Sequence, residues 1–360
     1  MIPLRKLVRK LTLSAVSLGL FFTGAELVLR VAEPGPVSVF DRSPYVDAAW
    51  SAGQWHRPGF VGRWDATWYE INSLGMRGPE FEPEYSEHEL RVLCVGDSCT
   101  LGKGVLEEES WPRVLESKLV QAFEHAGLPG QPMVGNLGIN GADGRTYEQV
   151  FQAIGEGLKP NLVVVGFNLN DFPNSIQAID QTVFREAPLR RMIPDGIRDS
   201  MNRSALYRFL RANYYEMRRK RDWRVAEGMA ANAAGTPMDS PVWREQRAYL
   251  TGIRDRAAAN GGRTMVLLFP YESQLYLKTF NTNAIDRLRE MCTELDLPFV
   301  NLVDHFVEAV QASNQSYFLR GDRYHPNPAG YQVVGDAIIN ELIQRGWFSL
   351  GPTHSEPKGG

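Results

Sequence analysis

From Arg91 to Gly346 the chain repeats one pattern, a short apolar run followed by a segment with helical spacing. Brief runs of this kind are strands buried on both faces. Strands that alternate with helices form a mainly parallel sheet with helices packed on both sides. Residues 92–95, ended by Gly96, and residues 162–165, introduced by Pro160 and ended by Gly166, read as two such strands. Residues 264–269 and 299–302 read as two more. Leu115, Leu119, Ala122, Phe123 and Ala126 share one side of a helix opened by Ser110 and Pro112 and closed by Gly127. Another helix ends at Gly261-Gly262, and Ile285, Leu288, Met291, Cys292 and Leu295 mark the next. A last one begins near Pro328 and carries Val333, Val334, Ala337, Ile338 and Leu342. The expected fold is α/β, and in such sheets sites form beyond the carboxyl ends of the strands.

The N-terminus has a different character. Arg5, Lys6, Arg9 and Lys10 precede an apolar or small stretch over residues 11–25, broken by Glu26 and resumed by Leu27, Val28 and Leu29. A basic segment before an apolar one addresses a chain to a membrane. A span needs about 20 residues, a length reached only when the stretch is counted on to Leu29. Thr23-Gly24-Ala25 offers small residues for cleavage, yet apolar character resumes past them. Residues 1–30 are therefore read as an uncleaved signal anchor. The positive-inside rule keeps the basic end cytoplasmic and places the remaining chain in the periplasm or exterior.

Residues 31–90, rich in Pro, Gly, Trp and Tyr, are expected to form loops and short strands packed on the main domain, with turn chemistry at residues 72–75. The main domain spans residues 91–347. Within it, residues from about 173 to 240 lose the alternation. There Arg203, Arg208, Arg211, Arg218, Arg219, Lys220, Arg221 and Arg224 interleave with Leu206, Tyr207, Phe209, Leu210 and Tyr214. That stretch is read as an inserted helical cap with a basic face. Residues 348–360 are expected to be a disordered tail.

A chain of 360 residues can bury a large core, and its net charge of -3 lacks the basic excess of a nucleic-acid binder. Three cysteines, Cys94, Cys99 and Cys292, show no CxxC spacing. They support neither a disulfide framework nor a zinc site, and read as small buried hydrophobes.

Two expected strand ends and the loop before the last helix carry unusual residues. Gly96-Asp97-Ser98 sets a serine on a turn after a buried strand, where a following helix start aims backbone N–H groups at a developing oxyanion. The segment is not a P-loop, because five residues separate Gly96 from Gly102 and Gly104 follows Lys103. Nor is it the GxSxG elbow, because Thr100 stands where glycine is needed. Asp322-Arg323-Tyr324-His325-Pro326 places a carboxylate three residues before an imidazole, so one ring nitrogen can be held while the other faces a nucleophile. The neighbours Asp304 and His305 are a poor dyad, since adjacent side chains point apart. Gly166-Phe167-Asn168-Leu169-Asn170-Asp171 and Asn136-Leu137-Gly138-Ile139-Asn140-Gly141 supply amide donors suited to an oxyanion hole.

In chain order, Gly96-Asp97-Ser98, Gly138, Asn170-Asp171 and Asp322-x-x-His325-Pro326 resemble the four blocks of the SGNH/GDSL hydrolases, over residues 91–346 with the insert as an interruption. The anchor and residues 72–78 resemble bacterial envelope members. The resemblance implies a three-layer α/β/α sandwich around a short, mainly parallel, flavodoxin-like sheet. It implies Ser98 as nucleophile, His325 as general base and acid, and Asp322 as its orienting partner. Ser98 N–H, Gly138 N–H and the Asn170 amide would form the oxyanion hole. Two extra residues after Gly166 make Asn168 an alternative to Asn170, which keeps its place before Asp171. The expected activity is that of a serine esterase or O-acyltransferase, needing no metal or organic cofactor. The expected substrate is an acyl ester, acetyl among them, of envelope carbohydrate. A lipid esterase or thioesterase is the alternative, and a catalytically inactive glycan-binding or scaffold protein is an alternative of another class.

Overall fold

A computed structural model describes residues 4–32, 45–48, 54–64, 67–82, 89–171, 197, 201, 204–207, 209–210, 239–276, 282–313, 315–319, 322 and 324–347. Helix α1 (Leu4–Ala32) contains Thr12–Val31, a stretch long and apolar enough to cross a membrane. Leu13, Leu20, Phe21 and Val28 on it are all exposed. Most of the expected cap, and the whole of the expected tail, lie outside the described residues. The described part of the cap at Ala205, Leu206, Tyr207, Phe209 and Leu210 is helical.

Two antiparallel hairpins precede the sheet, β1 (Tyr45–Asp47) with β2 (Gln54–His56) and β3 (Val61–Trp64) with β4 (Thr67–Glu70). The turn at residues 72–75 is present. Asn72 Oδ1 accepts from the N–H groups of Leu74 and Met76, and Ile71 bridges to Arg77 across it.

The main sheet has five parallel strands, β5 (Glu89–Gly96), β6 (Gln131–Gly138), β7 (Leu162–Phe167), β8 (Arg263–Leu268) and β9 (Phe299–Asn301), in the order β6-β5-β7-β8-β9. One face, through Val92, Cys94, Val164 and Leu267, packs on helices α3 (Trp111–Ala126), α8 (Leu302–Ala312) and α9 (Pro328–Gln344), with the short α6 (Glu272–Tyr276) beside α8. The other, through Leu93, Val95, Val163 and Val266, packs on α4 (Gly144–Val150), α5 (Pro241–Ala259) and α7 (Asn283–Glu294). This is a three-layer α/β/α sandwich. Alternation of side chains along each strand sends successive residues to opposite layers, so a run such as Val92-Leu93-Cys94-Val95 must be apolar throughout.

One strand lacks a sequence signal of its own kind. Strand β6 contains Pro132, Gly135, Asn136 and Gly138, which read as loop residues, so the segment around Gly138 is a strand end and not a free loop. The strand expected over residues 299–302 stops at Asn301, whose side chain caps α8 by accepting from Val303 N–H. The three cysteines are free and buried.

Candidate active site

Gly96 and Gly138 end β5 and β6, and Gly166, one residue before the end of β7, lies in register with them. A Cβ on Gly138 would collide with the Leu101 backbone, and one on Gly96 or Gly166 would collide with the Thr100 hydroxyl. The three glycines form a flat floor, and the one-turn helix α2 (Ser98–Leu101) rests directly on it. Asp97 caps α2 by accepting from Cys99 N–H at 2.8 Å, and Gly102 closes it with a φ of 79°. A left-handed residue at that position favours glycine.

Ser98 thus sits on the N-terminal turn beyond the carboxyl end of β5, 8% exposed. Its Oγ lies 2.8 Å from His325 Nε2, and His325 Nδ1 lies 2.7 Å from Asp322 Oδ2. Nδ1 must donate to the carboxylate, which leaves Nε2 as the acceptor facing the hydroxyl. Asp322 Oδ1 accepts from the backbone N–H groups of Tyr324 and His325, so the loop holds the carboxylate as well as the ring. Tyr331 donates to the Cys99 carbonyl at 3.0 Å and the Cys99 thiol lies 3.5 Å from the Tyr324 carbonyl. These contacts tie α2 to α9 and to the Asp322–His325 loop across more than two hundred residues of chain. Burial first, then the charges of Asp97, Asp322 and Asp171, raise the Cys99 thiol well above its ordinary range. It stays protonated and is no rival to Ser98 as a nucleophile.

The amide donors divide. Ser98 N–H has no hydrogen-bond partner among the described residues and stands at a helix start. Gly138 N–H donates to Asn136 Oδ1 at 2.9 Å. In the turn beyond it, Ile139 N–H donates to Gly96 and Ala142 N–H to Ile139, leaving those of Asn140 and Gly141 without a partner among the described residues. Asn168 is buried with its amide nitrogen 3.7 Å from Cys99 Sγ. The Asn170 side chain lies outside the described residues, while its backbone forms a short turn over Leu169–Asp171. Asp171 braces that turn by accepting from Asn168 N–H at 2.7 Å. Burial raises the carboxyl groups of Asp97 and Asp171, and the charge of Asp97 adds to the effect on Asp171.

Sequence reasoning missed Arg77. Its side chain is buried and donates to the carbonyls of Leu101 at 2.8 Å, Gly102 at 2.6 Å, Val105 at 2.8 Å and Trp68 at 3.1 Å. Its guanidinium lies 4.5 Å from the centre of the Tyr69 ring. A cation at the carboxyl end of α2 satisfies carbonyls that a one-turn helix leaves open and complements its dipole. A single arginine beyond a turn carries no pattern that reveals this. No cluster of metal-ligating side chains occurs among the described residues.

A parallel α/β/α sheet with a serine, a histidine and an aspartate hydrogen-bonded in series at its carboxyl ends defines an ester hydrolase. Residues 94–333 match the model of the GDSL-like lipase/acylhydrolase family, and the chain belongs to that family. Solved structures similar to it include the acetyl xylan esterase AlAXEase, with a TM-score of 0.43 at 11% identity over 70% of this chain and 99% of that one. The psychrotrophic esterase EstA from Pseudoalteromonas sp. gives 0.40 at 13% identity, over 71% and 98%. The lipase/acylhydrolase from Enterococcus faecalis gives 0.39 at 15% identity, over 74% and 99%. No curated protein sequence matches the chain.

Proposed function

We propose that the protein transfers an acyl group from an oxygen ester to water or a hydroxyl by way of an acyl-enzyme on Ser98. The observation that carries this reading is the series Asp322 Oδ2, His325 Nδ1, His325 Nε2, Ser98 Oγ, with contacts of 2.7 and 2.8 Å. Ser98 Oγ attacks the ester carbonyl while its proton passes to His325 Nε2, and Asp322 stabilises the resulting imidazolium. The carbonyl oxygen becomes an oxyanion, received by Ser98 N–H and an asparagine amide, Asn170 or alternatively Asn168. Gly138 N–H joins them only when Asn136 Oδ1 releases it. The open N–H groups of Asn140 and Gly141 are the readier donors on that side. Collapse of the intermediate expels the alcohol, which takes the proton back from Nε2. The incoming water or hydroxyl then attacks the acyl carbonyl while its proton passes to Nε2, and collapse of this second intermediate releases the acyl product and expels Ser98 Oγ, which takes the proton back from Nε2.

The basic residues ahead of Thr12–Val31 support a single-pass protein with its site outside the cytoplasm, where acylated envelope carbohydrate is the available ester. A short acyl group such as acetyl on a sugar hydroxyl is the proposed substrate. A lipid ester is the second reading, favoured by exposed Leu210 and Ile197 in the insert. Labelling with a fluorophosphonate followed by peptide mapping tests the assignment. Adduct on Ser98 alone is expected, and adduct elsewhere overturns it. Separate Asn168→Ala and Asn170→Ala variants should lower aryl acetate turnover by ~10²–10³ only at the true oxyanion donor. Equal, mild losses would remove the role from both.

A further inference from the structure

Glu26 interrupts the one stretch among the described residues fit to cross a membrane, and the contacts it makes explain why a carboxylate stands there. Its two oxygens accept from Ser204 Oγ at 2.8 Å, Ala205 N–H at 2.9 Å and Leu206 N–H at 2.9 Å. Ser204 Oγ in turn accepts from Tyr207 N–H at 3.1 Å. The first three N–H groups of the insert's helical turn, orphans by geometry, are thereby satisfied by two side chains lying 178 residues apart in sequence. Arg30, one turn further along α1, donates to Glu26 Oε1 at 2.7 Å.

Glu26 lies five residues before Val31, the outer end of Thr12–Val31, or about 8 Å along the helix axis. With the basic end of α1 in the cytoplasm, that depth falls inside the outer leaflet. Phe209 and Leu210, just beyond that turn in sequence, are also helical; Leu210 is 54% exposed, and Ile197 is equally exposed at 54%. Such exposed apolar side chains, in a segment fastened to an apolar helix that is itself uncovered, suit acyl chains and not water. The sequence flanks Leu210 with Arg208 and Arg211, and basic residues beside apolar ones favour the level of anionic headgroups.

We infer that Glu26 docks the insert onto the membrane helix and seats the segment ending at Leu210 in the outer leaflet, so that the partner of the insert is the lipid surface. This rests on the reading of residues 1–30 as a retained anchor. The insert then holds the hydrolase domain in a set orientation over the bilayer, in addition to the tether that any spanning helix provides.

The test uses the full chain in phosphatidylcholine–phosphatidylglycerol vesicles, with a bimane probe on Leu210→Cys and the same probe on Ile343→Cys, an exposed site on α9. Acyl-chain-brominated lipid should quench the probe at position 210 at least threefold more than at position 343. In the Glu26→Leu background the two should become alike, while the chain stays in the membrane after alkaline washing and keeps its aryl acetate turnover. Quenching at 210 that is weak from the start, or unchanged by Glu26→Leu, overturns the inference and leaves the anchor standing. A chain that begins at Glu26, or that washes off the membrane, fails the anchor reading itself.

Discussion

His56 offers a quantitative handle on the hairpin region that delivers Arg77 to α2. Its ring is 1% exposed, lying 5.2 Å from the Tyr45 ring and 5.0 Å from the Trp55 ring, centre to centre. Nδ1 lies 3.0 Å from the Gly75 carbonyl and must donate to it, so Nε2 is unprotonated, and it has no partner among the described residues. Burial lowers the imidazole pKa to about 4. The Gly75 hydrogen bond opposes that shift, and the Arg77 charge adds to it. The unfolded chain takes up this proton near the ordinary value of 6.5, whereas the folded chain resists until about 4. Stability from this group is intact above pH 6.5, falls as pH drops through that window, and levels off below pH 4. The loss between pH 7.5 and 5.0 is about 2 kcal/mol, and about 3 kcal/mol once the change is complete. The raised carboxyl of Asp97 works in the opposite sense, gaining stability as pH falls, so the wild-type curve alone does not isolate His56. His56→Asn does, because the amide keeps a donor for Gly75 and cannot take a proton. Lost ring contacts should cost the variant about 1–2 kcal/mol at pH 7.5. At pH 5.0 wild type and variant should be nearly equal. Urea unfolding of the full chain in detergent, followed by tryptophan fluorescence at the two pH values, reads this difference. Parallel behaviour of the two proteins across the window would refute the assignment of a buried neutral imidazole.

Asp322→Asn should lower aryl acetate kcat by roughly 10⁴ with little change in KM, and slow fluorophosphonate labelling in proportion. Full labelling at the wild-type rate would sever Asp322 from the activation of Ser98. Gly138→Ala forces a methyl group against the Leu101 backbone, a cost of about 1–3 kcal/mol read as a lower Tm, together with lost turnover from a displaced α2. An alanine variant with unchanged Tm and turnover would show that α2 does not rest on the glycine floor. Arg77→Met leaves four carbonyls without their charged donor and should destabilise by at least about 2 kcal/mol. Arg77→Lys should recover only part of that, since one ammonium does not serve both the Leu101 and Gly102 carbonyls held by Nη1 and the Trp68 and Val105 carbonyls held by Nη2, and complete recovery would argue for charge alone.

What could be read from the sequence follows from where each residue finds its partner. Val92-Leu93-Cys94-Val95 announces a strand because both layers demand apolar side chains, and the demand is written into the run itself. Asp322 and His325 are legible for a similar reason, since a loop of three residues brings carboxylate and ring together without help from the remainder of the fold. Ser98 becomes legible through them. Strand β6 is not, because the space above Gly135 is filled by Leu93, Met76 and Phe81, two of which come from the region before the sheet. A residue that is small because a distant segment needs the room looks locally like a turn. The same logic separates two meanings of Gly138. Its sequence setting marks it as a donor for the oxyanion, yet its N–H bonds Asn136 and its missing side chain admits α2. A glycine in a motif can thus be required by what lies against its Cα while its amide is committed elsewhere. That shifts the search for the second backbone donor three residues along, to the exposed turn at Gly141, whose φ of 75° again favours glycine.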